Sequence, residues 1–186
     1  MTSKDRWLDE GMTVLREQGI AGVRVDRIAA RLGLTKGSFH HHFDGVGDYR
    51  RALLERYESD TAAIVQSALS ALAGLSPEQA LMALPAHVPV DPRTDAAVRG
   101  WAFEDDEARA TLERIDAARL QVLVALWQAI VADPALARAA AMIPHLITMG
   151  ASVALPTPRD DEMAAVFGLL AALVPAVREQ SPPVAG

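Results

Sequence analysis

Residues 24 to 43, Arg-Val-Asp-Arg-Ile-Ala-Ala-Arg-Leu-Gly-Leu-Thr-Lys-Gly-Ser-Phe-His-His-His-Phe, constrain this chain more than any other stretch. They read as two short helices joined by a tight turn. Ile28, Ala29 and Leu32 give the first helix an apolar stripe compatible with a 3.6-residue period. Gly33 stands where a helix end needs a residue tolerant of positive φ. Leu34 plugs the corner, and Thr35 is a good N-cap for the next helix. Phe39 and Phe43 lie four apart, so they share one face and pin the second helix onto the first. The other face offers Lys36, Ser38, His41 and His42 to solvent or to a phosphate backbone. A helix of two turns gains little from its own propensity, so a donor-rich outer face on so short a helix points to function. The pattern is that of a helix-turn-helix.

The formal net charge of −6 argues against nucleic acid only until its distribution is examined. Residues 1–58 hold 10 Lys or Arg against 9 Asp or Glu, a net of +1, whereas residues 59–186 hold 8 against 15, a net of −7. Between residues 24 and 51 there are six basic residues (Arg24, Arg27, Arg31, Lys36, Arg50, Arg51), three acidic ones and three histidines. That local excess is what a phosphate backbone feels within a Debye length.

The segment from Lys4 to about Leu54 resembles the DNA-binding domain of TetR-type bacterial transcriptional regulators. The resemblance rests on Glu17-Gln18-Gly19 ending the first helix, Ile28-Ala29, Leu32-Gly33-Leu34, Lys36-Gly37-Ser38-Phe39 and His42-Phe43, covering roughly a quarter of the chain. It implies a homodimeric, all-helical regulator with a C-terminal effector-binding and dimerisation domain. It also implies DNA contacts from Thr35, Lys36, Gly37, Ser38, His40, His41 and His42. His40 stands where the family usually has a phosphate-contacting Tyr. Arg24 replaces the usual Ser or Thr cap of the second helix, losing a cap and adding a charge, and so joins the candidate DNA contacts. Val46 replaces a usual Lys, for which Arg50 and Arg51 compensate. Three successive histidines also suggest metal, but neighbouring helical residues point about 100° apart and cannot converge on one ion.

The rest of the chain reads as helix, giving an all-α fold with no internal repeat. Helix 1 runs from Asp5 to Gln18, with Gly11 mid-helix, where a close helix crossing would explain a residue that costs about 1 kcal/mol against Ala. Asp44 to Asp48 reads as a loop ending in an N-cap, and Tyr49 to Ala71 as one long helix. Ser76 caps a helix with Pro77 at its first position. His87 to Pro92 is an irregular break. Helices follow at Asp95–Glu104, Glu107–Ala132, Pro134–Ala154 and Asp160–Arg178, and Ser181–Gly186 reads as a mobile tail. The expected organisation is a three-helix DNA-binding domain over 1–48 and a helical effector and dimerisation domain over 49–180, with 49–71 as the connecting helix and 181–186 as the tail.

With no cysteine, disulfides, thiol catalysis and Cys-ligated zinc are excluded. The N-terminus is polar, and no apolar run crosses bilayer length without a charge, Pro or Gly. A soluble, cytoplasmic protein without membrane partner or cofactor follows. No Ser-His-Asp order, apolar carboxylate pair or phosphate-cradling Gly loop supports an enzyme. Trp101, Phe103, Trp127, Met142, His145 and Met149, bulky and soft among Ala and Leu, are candidate lining for a small, mostly apolar effector. Met163 to Val177 holds no charge, and such a helix must be buried on nearly all sides. Its simplest cover is a second copy, which makes Leu146, Val153, Phe167, Leu169, Leu170 and Leu173 the expected dimer interface. The functional expectation is a repressor that binds a palindromic operator and is released by a small molecule. Its rival is a constitutive DNA-binding protein with no effector.

Overall fold

A computed structural model describes residues 2–88 and 91–179. Among these residues there is no strand. The helices are α1 (Ser3–Gln18), α2 (Val25–Leu32), α3 (Lys36–His40), α4 (Val46–Ala71), α5 (Pro77–His87), α6 (Pro92–Ala102), α7 (Asp106–Gln128), α8 (Pro134–Val153) and α9 (Asp160–Glu179), with a 3-10 turn at Ile20–Gly22. The chain is all-α, as the sequence implies.

Local chemistry sets the helix starts. At α1 the Thr2 hydroxyl accepts the Asp5 N–H while the Asp5 carboxylate accepts the Thr2 N–H, a reciprocal capping box. Ser76 and Gln79 repeat the device ahead of Pro77. Two starts fall three residues earlier than the sequence suggests. α4 begins at Val46 because Asp48 works from inside its first turn, accepting the Asp44 N–H at 3.2 Å. α6 begins at Pro92 because Asp91 is its cap, accepting from the Arg93 N–H and the Thr94 hydroxyl. α7 ends four residues early, where the Ile130 and Val131 N–H groups turn back onto the Trp127 carbonyl. The expected tail, Ser181–Gly186, lies outside the described residues.

The chain divides into two compact units, Met1–Ala62 with Asp91–Ile115, and Ala63–Val90 with Asp116–Gly186. The first unit centres on Trp7, Val14, Leu15, Ile28, Phe39, Phe43, Tyr49 and Leu53, all nearly inaccessible. It also includes α6 and the start of α7, which the sequence expectation placed with the effector domain. The reason is the apolar face of α6: Val98, Trp101 and Ala102 join the same core, packed on α1. A buried polar link reinforces this. The Tyr57 hydroxyl donates to Asp95 at 2.8 Å, and Arg99 pairs with the other oxygen of that carboxylate at 2.7 Å. The second unit is built on small residues: Ala137, Ala140 and Ala141 of α8 meet Trp127, Val131 and Val174. By length and composition α8 could cross a bilayer, but it carries Arg138 and Pro144 and packs its alanine face into this core.

Candidate nucleic-acid interface

The corner between α2 and α3 is fixed by backbone geometry. Gly33 adopts φ 65, a left-handed conformation that costs other residues energy. Its N–H reaches the Ala30 carbonyl, and the Leu34 N–H reaches Ala29 at 2.9 Å. Thr35 then caps α3, its hydroxyl accepting the Ser38 N–H at 3.3 Å. Regular helix ends at His40, but the His42 and Phe43 N–H groups still bond the Phe39 carbonyl, so the turn carries His41 and His42 onward.

An aromatic cluster holds this short element. Phe39 lies edge-on to Trp7 at 5.3 Å and to Tyr49 at 5.4 Å, and Phe43 meets Tyr49 at 4.8 Å. Phe39 and Phe43 therefore pin α3 to α1 and α4. The Tyr49 hydroxyl donates to the Trp7 carbonyl at 2.5 Å. Burial pushes the Tyr49 phenol well above its ordinary pKa, so it stays a donor. Gly11 is the price of that contact: a Cβ there would lie 2.0 Å from the Tyr49 hydroxyl oxygen. The crossing expected at Gly11 is present.

Anchored in this way, α3 presents Thr35, Lys36, Gly37, His40 and His41 to solvent. Ser38 and His42 are half-buried, less open than the sequence suggests, because Ser38 engages the cap and His42 packs beside Phe43. The cations around α3 are mostly engaged. Arg24 pairs with Asp26 at 3.2 Å and leaves α2 without a side-chain cap. Arg27 donates to Gln18, Arg31 pairs with Glu17 and Glu10, and Arg51 pairs with Glu107 at 2.7 Å. Arg50 is half-buried. Compensation for Val46 by Arg51 therefore requires exchanging Glu107 for a phosphate. Among the described residues, Lys36 has no such partner and is the cation α3 can offer directly.

A family model of bacterial regulatory proteins, tetR family, matches residues 8–45, from α1 through α3. The matched segment, residues 8–45, is the helix-turn-helix corner with the first helix that supports it, so the likeness is to the TetR-type DNA-binding segment. The fold of the chain is similar to that of a transcriptional regulator from Rhodococcus sp. Rha1, with TM-score 0.76, 19% identity, and 99% of this chain and 100% of that one covered. It is also similar to the multidrug binding protein EbrR complexed with imidazole, with TM-score 0.58, 22% identity, and 100% and 98% covered. A sequence comparison with curated proteins finds no match.

The candidate effector residues do not all belong to one unit. Trp101 is a core residue of the first unit, 2% exposed, and its side chain also bonds Asp105. Phe103 stands in the turn after α6 at 85% exposure, lining nothing. Trp127, Met142, His145 and Met149 belong to the second unit. Trp127 is buried in its core, His145 and Met149 are half-buried on α8, and Met142 faces outward. Of the candidate interface residues, Leu146, Val153, Leu169 and Leu173 are exposed, while Phe167 and Leu170 are half-buried beside them. The Glu104–Glu107 run is a solvated turn, in which Asp105 accepts the Ala108 N–H at 2.9 Å.

Proposed function

We propose that this TetR-type regulator is a ligand-responsive repressor. A homodimer, each copy using the first unit to contact DNA and the second for the effector and for dimerisation, binds a palindromic operator in the cytoplasm. Thr35, Lys36, Gly37, Ser38, His40, His41 and His42, with Arg24, make the DNA contacts. Phosphate contacts set the register, and the first residues of α3 reach base edges.

The observation that carries the dimer is a pair of exposed apolar stripes within the second unit. On α8, Leu146 is 53% and Val153 57% exposed; on α9, Leu169 is 71% and Leu173 53% exposed. Each pair follows helical spacing. Apolar surface of that kind on neighbouring helices marks an interaction site. A two-fold pairing lets each copy cover the other with the same surface. Leu169→Glu and Leu173→Glu should give monomers or insoluble chain by light scattering, since an unpaired buried charge costs several kcal/mol. Both variants remaining soluble dimers moves the interface elsewhere.

Support for an effector comes from the soft residues Trp127, Met142, His145 and Met149 among alanines, and from likeness in fold to EbrR, named a multidrug binding protein. An effector shifts DNA binding only through differential affinity for two dimer shapes. Release of bound operator by a small molecule tests the reading. Operator binding that no small molecule alters leaves a constitutive DNA-binding protein.

A further inference from the structure

We infer that the second unit binds a small molecule with an apolar body and a carboxylate, held in a groove along α7 with Arg138 as its anion partner. The inference rests on the ligand-responsive reading and names the chemistry of its effector. The groove has a volume of about 330 Å³ and is lined by Leu120, Gln121, Val124, Ala125 and Gln128 of α7, with Arg138 of α8 at its side. Residues 121, 124, 125 and 128 recur at the spacing of a single helix face. At about 30 Å³ for each water in the liquid, the space suits roughly ten water-sized groups. That lies at the small end of ligand pockets.

Charge decides the occupant. The second unit has four arginines. Arg119 pairs with Asp116, Arg159 with Asp161 and Glu162, and Arg178 with Glu78. Arg138, among the described residues, faces no carboxylate at ion-pair distance. A guanidinium is a fixed fork of donors that matches a carboxylate in bidentate fashion. Beside it, the Gln121 and Gln128 amides can accept or donate to a polar end. The floor explains the apolar body: Leu120 and Val124 also pack on the core cluster that buries Trp127. The Trp127 indole N–H has no acceptor among the described residues. A ligand lying on Leu120 and Val124 therefore disturbs the surroundings of Trp127, and its fluorescence reports occupancy.

The test titrates full-length protein with octanoate, octan-1-ol and octylammonium, reading tryptophan fluorescence and calorimetry, and repeats the series with Arg138→Gln and Ala125→Trp. Octanoate should bind at least about tenfold more tightly than the other two, the least that a charge-assisted hydrogen bond supplies. Arg138→Gln should remove that advantage and leave octan-1-ol unchanged, and Ala125→Trp should block all three. Equal affinities for the three probes, or octanoate binding indifferent to Arg138→Gln, overturns the inference. Operator affinity at saturating octanoate separates the two claims. Binding as expected with no change at the operator keeps the site and defeats the ligand-responsive reading. Release of operator by other small molecules, with octanoate never binding, does the reverse.

Discussion

Replacing Gly11 with alanine tests the packing that positions α3. In an exposed helix this change stabilises by about 1 kcal/mol. Here the new Cβ would sit 2.0 Å from the Tyr49 hydroxyl oxygen, 2.9 Å from its Cζ and 2.8 Å from Leu53 Cδ2. None of these can yield cheaply. Tyr49 is 1% exposed, bonded to the Trp7 carbonyl and wedged between Phe39 and Phe43, and Leu53 is wholly buried. Overpacking a core costs about 1–3 kcal/mol, and losing its bond to the Trp7 carbonyl leaves the buried Tyr49 hydroxyl unpaired at about 1–3 more. After subtracting the helix gain, Gly11→Ala should destabilise by about 1–5 kcal/mol in urea unfolding. Gly47→Ala is the control: a Cβ there meets nothing within 4 Å, so stability should hold or rise slightly. Tyr49→Phe removes the atom in worst conflict, so Gly11→Ala with Tyr49→Phe should lose less than the separate losses combined. Because Tyr49 braces Phe39 and Phe43, Gly11→Ala should also weaken operator binding. A variant as stable as the parent, with intact operator affinity, refutes the account of how α3 is held.

Asp95→Ala removes the acceptor shared by Tyr57 and Arg99 and should cost about 3 kcal/mol, a penalty of breaking a buried pair, read as a lower urea midpoint; no shift would show the link is dispensable. Glu17, held low by its bond to Arg31, Glu58 by Arg114 and Asp105 by the Ala108 N–H have depressed folded-state values. Their stabilisation is present above the unfolded values and lost as pH falls through the folded ones. The first unit should thus unfold more easily below about pH 4, and equal urea midpoints at pH 7 and pH 3 would exclude this linkage. His41→Ala should change preference among operator variants where it reaches a base edge; uniform loss on all sequences makes it a backbone contact.

The DNA-binding segment was legible because its constraints are local. A left-handed glycine at position 33, a cap at Thr35 and aromatics at Phe39 and Phe43 act over a few residues, and each appears in sequence as a residue type at a fixed spacing. The engagement of Arg24, Arg31 and Arg51 was not legible: Arg24 meets Asp26 only by choice of rotamer, the partners of Arg31 (Glu10, Glu17) and Arg51 (Glu107) are distant in sequence, and composition counts charge without pairing it. Trp101 reads identically as pocket lining or core, since a buried aromatic serves either, and only the packing of α6 on α1 decides. Arg138 escaped notice for the opposite reason. It is an ordinary surface arginine until the surroundings show that it lacks a carboxylate.

The central claim, that α3 delivers Lys36 to DNA in a dimeric regulator, is tested most directly by the salt dependence of binding to the DNA upstream of this protein's own gene. The parent should prefer that DNA over unrelated duplex, with log affinity falling linearly against log salt. Lys36→Ala should weaken binding broadly and reduce the slope by about one per subunit. An unchanged affinity and slope in Lys36→Ala, or no preference for the upstream DNA at any salt concentration, contradicts the account.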